Sequence, residues 1–208
     1  ILGEETNMMK LAELAIWLNS DNAPGLGLPP LIMVTDVRRL PDPLGAAAKL
    51  PPGSAILLRD YELAERAALA GRLAIVARRH GLKLLIGGDA ELAIRVDAAG
   101  VHFSETRASE ARRWRHRKNW LITVAAHSRT ALRSAALSGA DAALLSPVFS
   151  TKSHPGQAPL GAAGFTLLAS RAALPVYALG GIDENNAARL LSSPAAGIAA
   201  IGAFNPIN

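Results

Sequence analysis

Cysteine is absent from all 208 residues, which excludes disulfides and thiolate-bound zinc. Long apolar runs are missing too. Half of the residues are hydrophobic, yet no uninterrupted stretch approaches the roughly 18 to 20 residues that a membrane helix needs, so no membrane partner is expected. The N-terminus lacks the basic, apolar, small-residue order of a signal peptide, and a cytoplasmic protein is expected. The chain starts at Ile1 with Met8 and Met9 close behind, so its first residues are expected to be foreign or trimmed and carry no functional weight. Internal repeats, low-complexity tracts and shifts of composition are also lacking, and one domain over residues 1–208 is expected.

What the sequence does have is basic charge. The net charge is +5 and the pI about 10.1, with Arg112, Arg113, Arg115, His116, Arg117 and Lys118 clustered. The cluster falls on one expected helix, has only Trp114 and Trp120 as aromatic company and fits no nucleic-acid motif. It reads as a solvated face, and no nucleic-acid partner is expected. The excess charge would still draw anionic small molecules.

Short aliphatic segments recur at 31–35, 55–59, 83–86, 100–102, 120–125, 142–146, 176–179 and 197–201. Helical spacing fills most gaps, at 61–80, 90–96, 106–118, 130–138, 165–173 and 184–191. Continuous apolar strands alternating with helices imply a parallel sheet buried on both faces, and eight such units predict a closed (β/α)8 barrel. The link after the first strand holds Pro41, Pro43, Pro51 and Pro52, which predicts a helix of about two turns there. Residues 1–30 are expected to form a leading helix, over 8–19, and a turn-rich connector. Residues 31–208 would be the barrel.

In such barrels ligands sit at the C-terminal ends of the strands, with phosphate commonly at the loops after strands 7 and 8. Three loops here are suited to an oxyanion. The strand ending near Leu145 runs into Ser146-Pro147-Val148-Phe149-Ser150-Thr151-Lys152-Ser153-His154-Pro155-Gly156, rich in hydroxyls and positive charge. Gly180-Gly181 follows strand 7, and Ile201-Gly202 ends strand 8. Glycines there would let backbone amides approach a phosphate, or would only make tight turns.

Gly100-Val101-His102, Ser146-Pro147-Val148-Phe149-Ser150-Thr151 and Pro175-Val176-Tyr177-Ala178-Leu179-Gly180-Gly181-Ile182 together resemble the thiamine phosphate synthase and TenI-type thiazole tautomerase family in order and spacing. The resemblance runs from about Leu31 to Phe204. It implies a single TIM barrel of the thiamine phosphate synthase type, a thiazole phosphate ligand and a place in thiamine metabolism. Synthases in the family join a pyrimidine pyrophosphate to a thiazole phosphate with magnesium, and this sequence departs from that apparatus. Gly87-Gly88 replaces an Asn-Asp pair, Arg107 falls where a second acidic ligand is expected, and Tyr61 replaces the lysine of an Arg-Glu-Lys triplet now reading Arg59-Asp60-Tyr61. Ala125 replaces a serine, and His154 the lysine ending Thr-x-Thr-Lys. Asp89 and Glu105 lie near but out of register.

The phosphate side of the pattern survives in Thr151, Ser153, Gly180, Gly181, Ile201 and Gly202. His127 stands where the resembling tautomerases carry a catalytic histidine. The sequence therefore predicts a metal-independent thiazole tautomerase with His127 shuttling the proton. His102, His154 and Arg59 are further pocket residues. No cofactor is expected; magnesium enters only under the alternative of a true synthase, and a non-catalytic thiazole or thiamine phosphate-binding protein is a third reading. A homo-oligomer is compatible with the sequence. Plainer roles stay open: His127 and Ser128 could simply begin a helix, His154 close a loop, Arg59 be a satisfied barrel-end arginine and Asp36 form a turn.

Overall fold

The computed structural model describes residues 2–151 and 158–204. Eight strands, β1 (Leu31–Val34), β2 (Ala55–Leu58), β3 (Lys83–Gly87), β4 (Gly100–Phe103), β5 (Leu121–Ala126), β6 (Ala142–Leu145), β7 (Val176–Leu179) and β8 (Ala195–Ala200), pair in chain order into a closed barrel. Every pairing is parallel, and β1 closes on β8 with Leu31 opposite Ile198 and Met33 opposite Ala200. The continuous aliphatic runs reflect burial on both faces. Alternation sends Ile32, Val34, Leu57, Leu85 and Leu144 into the barrel, while Leu31, Met33, Ile56, Leu58 and Ile86 pack outward under the helices.

The N-terminal end of the barrel is plugged. The Tyr177 hydroxyl, fully buried, donates to the Pro29 carbonyl at 2.7 Å. Pro30 passes so close to β8 that a side chain on Gly197 would lie 2.3 Å from its carbonyl oxygen.

Around the barrel run α1 (Leu2–Asn22), α2 (Pro43–Ala48), α3 (Arg66–His80), α4 (Ala90–Arg95), α5 (Ala111–Trp114), α6 (Arg129–Leu137) and α7 (Gly161–Ala169). The short α2 is as expected: Pro43 occupies its first turn and Asp42 caps it, accepting from the Gly45 amide at 2.9 Å. α1 is longer than expected and lies along β8 and β1, where Asn19 donates to the Ala196 carbonyl at 2.7 Å and Asn22 to that of Ala195 at 3.1 Å. No helix among the described residues is long and apolar enough to cross a membrane.

Three helical expectations are corrected. Residues 61–65 form a loop, because Tyr61 leaves the helix path to pack on Gly87 and Gly88. The run 106–118 splits into a 3-10 segment (Glu105–Glu110) and the short α5, with Arg107 off helical geometry at φ −108°. The run 184–191 contains only a four-residue 3-10 helix (Ala187–Leu190), preceded by a turn in which Asp183 accepts from the amides of Asn185 and Asn186.

Candidate active site

The loops after β6 and β7 are laced together. Val148 N–H donates to the Leu179 carbonyl and Phe149 N–H to the Gly180 carbonyl, each at 2.9 Å, and the Asn186 side chain donates to the Gly181 carbonyl at 2.7 Å. Because peptide units are planar and trans, the N–H groups of Gly180, Gly181 and Ile182 point opposite to those carbonyls, and those of Gly180 and Gly181 point away from the β6 loop. Both glycines are sterically required. Gly180 has φ +99° and Gly181 +66°, and a Cβ on Gly181 would sit 2.3 Å from the Ser150 carbonyl oxygen. These glycines therefore do make a tight turn, and the same turn orients a set of amides. Ile201 is buried in the barrel-interior cluster and Gly202 opens a 3-10 turn (Gly202–Phe204). Thr151 ends the described part of the β6 loop, partly buried. Ser153 and His154 lie outside the described residues.

His127 follows β5 on the parity of Leu121, Thr123 and Ala125, the side of the strand that faces the interior. Ser128, not His127, caps α6, accepting from the Ala131 amide at 3.1 Å. The imidazole pairs with Glu105 instead. One carboxylate oxygen, Oε2, lies 2.7 Å from His127 Nδ1 and accepts from the His127 backbone N–H at 3.0 Å. His102, on β4, is different. It is buried within the barrel, its Nδ1 2.9 Å from the Thr123 hydroxyl, and burial, assisted by the nearby Arg59 charge, lowers its pKa to about 4. At neutral pH it is an uncharged wall of the cavity.

Across the mouth, Arg59 reaches Asp36 with an N···O distance of 3.6 Å, both side chains partly exposed. Asp60 turns outward to brace the barrel, accepting from the Thr35 hydroxyl and from the Val37 amide at 2.8 Å. The room left by Gly87 and Gly88 is filled by two large side chains. A Cβ on Gly87 would lie 3.2 Å from the Tyr61 ring, and one on Gly88 3.1 Å from Arg107 Nη1. Arg107 donates to the Gly88 carbonyl at 2.8 Å and forks onto the Glu110 carboxylate, whose pKa this hydrogen bond lowers. Burial pushes the Tyr61 hydroxyl upward in pKa against the pull of Arg59, Arg66 and Arg107, so it stays protonated. Arg66 ties the strand ends together, donating to the Leu58 carbonyl at 3.3 Å and to that of Gly87.

The family model for thiamine monophosphate synthase matches residues 32–204. The chain belongs to this family. It is 31% identical over 185 residues to the thiamine-phosphate synthase of Chlamydia caviae, covering 84% of this chain and 86% of that one. It is 33% identical over 129 residues to the thiamine-phosphate synthase of Chloroflexus aurantiacus, covering 62% of this chain and 60% of the relative. Among solved structures, thiamine phosphate pyrophosphorylase from Pyrococcus furiosus superposes with a TM-score of 0.68 at 25% identity, over 84% of this chain and 86% of that chain.

Magnesium belongs to the synthase chemistry of the thiamine monophosphate synthase family, and the residues here do not fit it. Among the described residues no three His, Asp or Glu side chains converge as a metal site. At the positions after β3 and β4 stand Gly87, Gly88 and the guanidinium of Arg107. The nearby carboxylates are engaged elsewhere: Asp89 caps α4 and lies 3.8 Å from Arg66, Glu105 holds His127, and Glu110 holds Arg107. A divalent cation would meet a fixed positive charge.

The sequence reading located His127, Arg59, His102, Gly180, Gly181 and Ile201 at or just inside the mouth, where the structure places them. It missed the partner of His127. Glu105 was weighed only as a displaced metal ligand; the available signal was its place immediately past β4, the strand next to β5. The basic cluster at 112–118 lies near the opposite end of the barrel, where Arg115 pairs with Asp141 at 2.6 Å and Arg117 covers the Trp120 ring at 4.7 Å.

Proposed function

We propose that this chain is an enzyme of thiamine biosynthesis that takes a thiazole phosphate at the C-terminal mouth of its barrel, with the phosphate over the Gly180–Gly181 turn. The observation that carries this is the set of amides at Gly180, Gly181 and Ile182, turned opposite to carbonyls that are themselves held by hydrogen bonds. Two reactions use such a ligand.

Transfer of a pyrimidine from its pyrophosphate to the thiazole is the first reading, supported by the names of relatives that cover most of the chain. In that reaction the pyrimidine methylene carbon–oxygen bond breaks, the thiazole nitrogen makes the new carbon–nitrogen bond, and pyrophosphate leaves with the electron pair. Arg59 and Arg107 are the cations of the β1–β4 side from which the leaving group would draw compensation. A second reading, a metal-independent thiazole tautomerase, is favoured by the His127–Glu105 pair: removing a proton at one atom and returning it at another needs an acid–base group and no metal.

Calorimetric titration with thiazole phosphate and with pyrimidine pyrophosphate, each with and without magnesium and followed by a product assay, separates the two. Thiamine phosphate formation supports the transfer reading. Binding of thiazole phosphate alone, indifferent to magnesium and without product, sinks transfer and leaves the tautomerase or a binding protein. Failure to bind either ligand sinks the proposal.

A further inference from the structure

We propose that Glu105 is the positioning residue of this site, holding His127 with its proton on Nδ1 so that Nε2 is the basic nitrogen of the ring. The inference deepens the tautomerase reading and rests on it for its chemistry. Its geometry stands on the loops themselves.

A carboxylate accepts hydrogen bonds and donates none, so Nδ1 at 2.7 Å from Oε2 must carry the proton. The neutral ring then has its lone pair on Nε2. The same oxygen also takes the His127 backbone N–H at 3.0 Å, so ring and main chain close on a single acceptor and the ring orientation is fixed. Glu105 is itself held. It opens the 3-10 segment Glu105–Glu110, which is anchored by buried Ala108 and continues into α5 at buried Ala111. The α6 cap belongs to Ser128, so the helix makes no competing demand on the imidazole.

His102 supplies the contrast within one barrel: its Nδ1 faces a hydroxyl, which can donate or accept and so selects no tautomer. From the neutral Nδ1–H form, His127 would act first as a base. Nε2 takes a proton from a substrate carbon, the ring becomes an imidazolium beside the Glu105 carboxylate, and the same proton returns to a different substrate atom. The ring ends as it began, and no other reactant is consumed.

Two-bond 1H–15N correlation spectra of histidine-labelled protein test this directly, with the His127 signals assigned by their loss in His127→Asn. In the wild type the neutral ring should show a protonated Nδ1 and an unprotonated Nε2. In Glu105→Ala the ring should move toward the Nε2–H form that free imidazole side chains favour, and turnover should fall at least about tenfold with little change in KM. If Glu105→Ala does not fold, Glu105→Met, similar in length and without an acceptor, gives the same comparison. A wild-type ring protonated on Nε2, or spectra unchanged in a folded Glu105 variant, would overturn the proposal. The spectra need no substrate. A wild-type Nδ1–H ring together with full activity in His127→Asn would defeat the proton-shuttle reading while leaving the positioning by Glu105 standing.

Discussion

Where the β6 and β7 loops meet, backbone touches backbone; where the β2, β3 and β4 loops meet, the space between them is filled by Tyr61, Arg66 and Arg107. The two halves of one mouth therefore tolerate change differently. On the first half a side chain has nowhere to go, so the glycines persist as a legible pattern. On the second, long side chains neutralise one another in pairs, Arg59 with Asp36, Arg66 with Asp89 and Arg107 with Glu110, and a carboxylate can give way to a guanidinium without disturbing the barrel.

The strongest way to sharpen this contrast is His127→Asn, at the edge of the backbone-built half. Under the tautomerase reading kcat should fall by about 10²- to 10⁴-fold with thiazole phosphate affinity retained, read from initial rates and calorimetry. Unchanged turnover would remove the proton shuttle from this site.

Next comes the pH response of stability from the opposite half. His102 has its pKa lowered from 6.5 to about 4 in the fold, so between those values the unfolded chain binds a proton that the native chain refuses. Its contribution is complete above about pH 6.5 and is lost as pH falls toward 4, a difference of about 3 kcal/mol. Urea unfolding of wild type and His102→Gln at pH 7.5, 6 and 5 should show a flatter dependence in the variant. Parallel curves would mean that the ring is not held neutral.

Gly181→Ala probes the backbone contact itself. The positive φ and the 2.3 Å approach to Ser150 should together cost about 2 kcal/mol or more, lowering Tm by roughly 4–8 °C. Gly53→Ala is the control: φ is +85° but no atom lies within 4 Å of the added Cβ, so only the conformational cost of about 1 kcal/mol is expected. Equal losses in the two variants would show that the loop contact yields.

Arg107→Ala should have the smallest effect. Its side chain is 46% exposed, so stability should change by less than about 1 kcal/mol. Thiazole phosphate binding, assigned to the other half, should be unaltered in calorimetry. A large loss of affinity would mean that the two halves share the phosphate.

The strands were legible because both of their faces are apolar; the expected 142–146 and 176–179 match β6 and β7 to within one residue. Helix edges were less so. Nothing in residues 61–65 signals that Tyr61 will be captured by the space above Gly87, a contact that exists only where β2 and β3 lie side by side. The glycine pair after β7 was legible as a tight turn, yet its partner surface at Pro147–Ser150 is visible only in three dimensions. Glu105 and His127 are 22 residues apart on separate loops, and no local periodicity joins them. Their meeting follows from the parallel neighbourhood of β4 and β5, a property of the sheet as a whole.

The leading helix fastens to the far end of the chain: Asn19 and Asn22 bond carbonyls at Ala196, Ser193 and Ala195, 171 to 177 positions away. During synthesis at about 5–20 residues per second, α1 waits on the order of ten seconds or more before that docking surface has emerged from the ribosome. The buried face formed by Leu11, Ala15 and Leu18 is without its native cover throughout that interval. The nascent barrel thus gains the helix that packs along β8 and β1 only after β8 has been made, and the seam between its first and last strands is completed late.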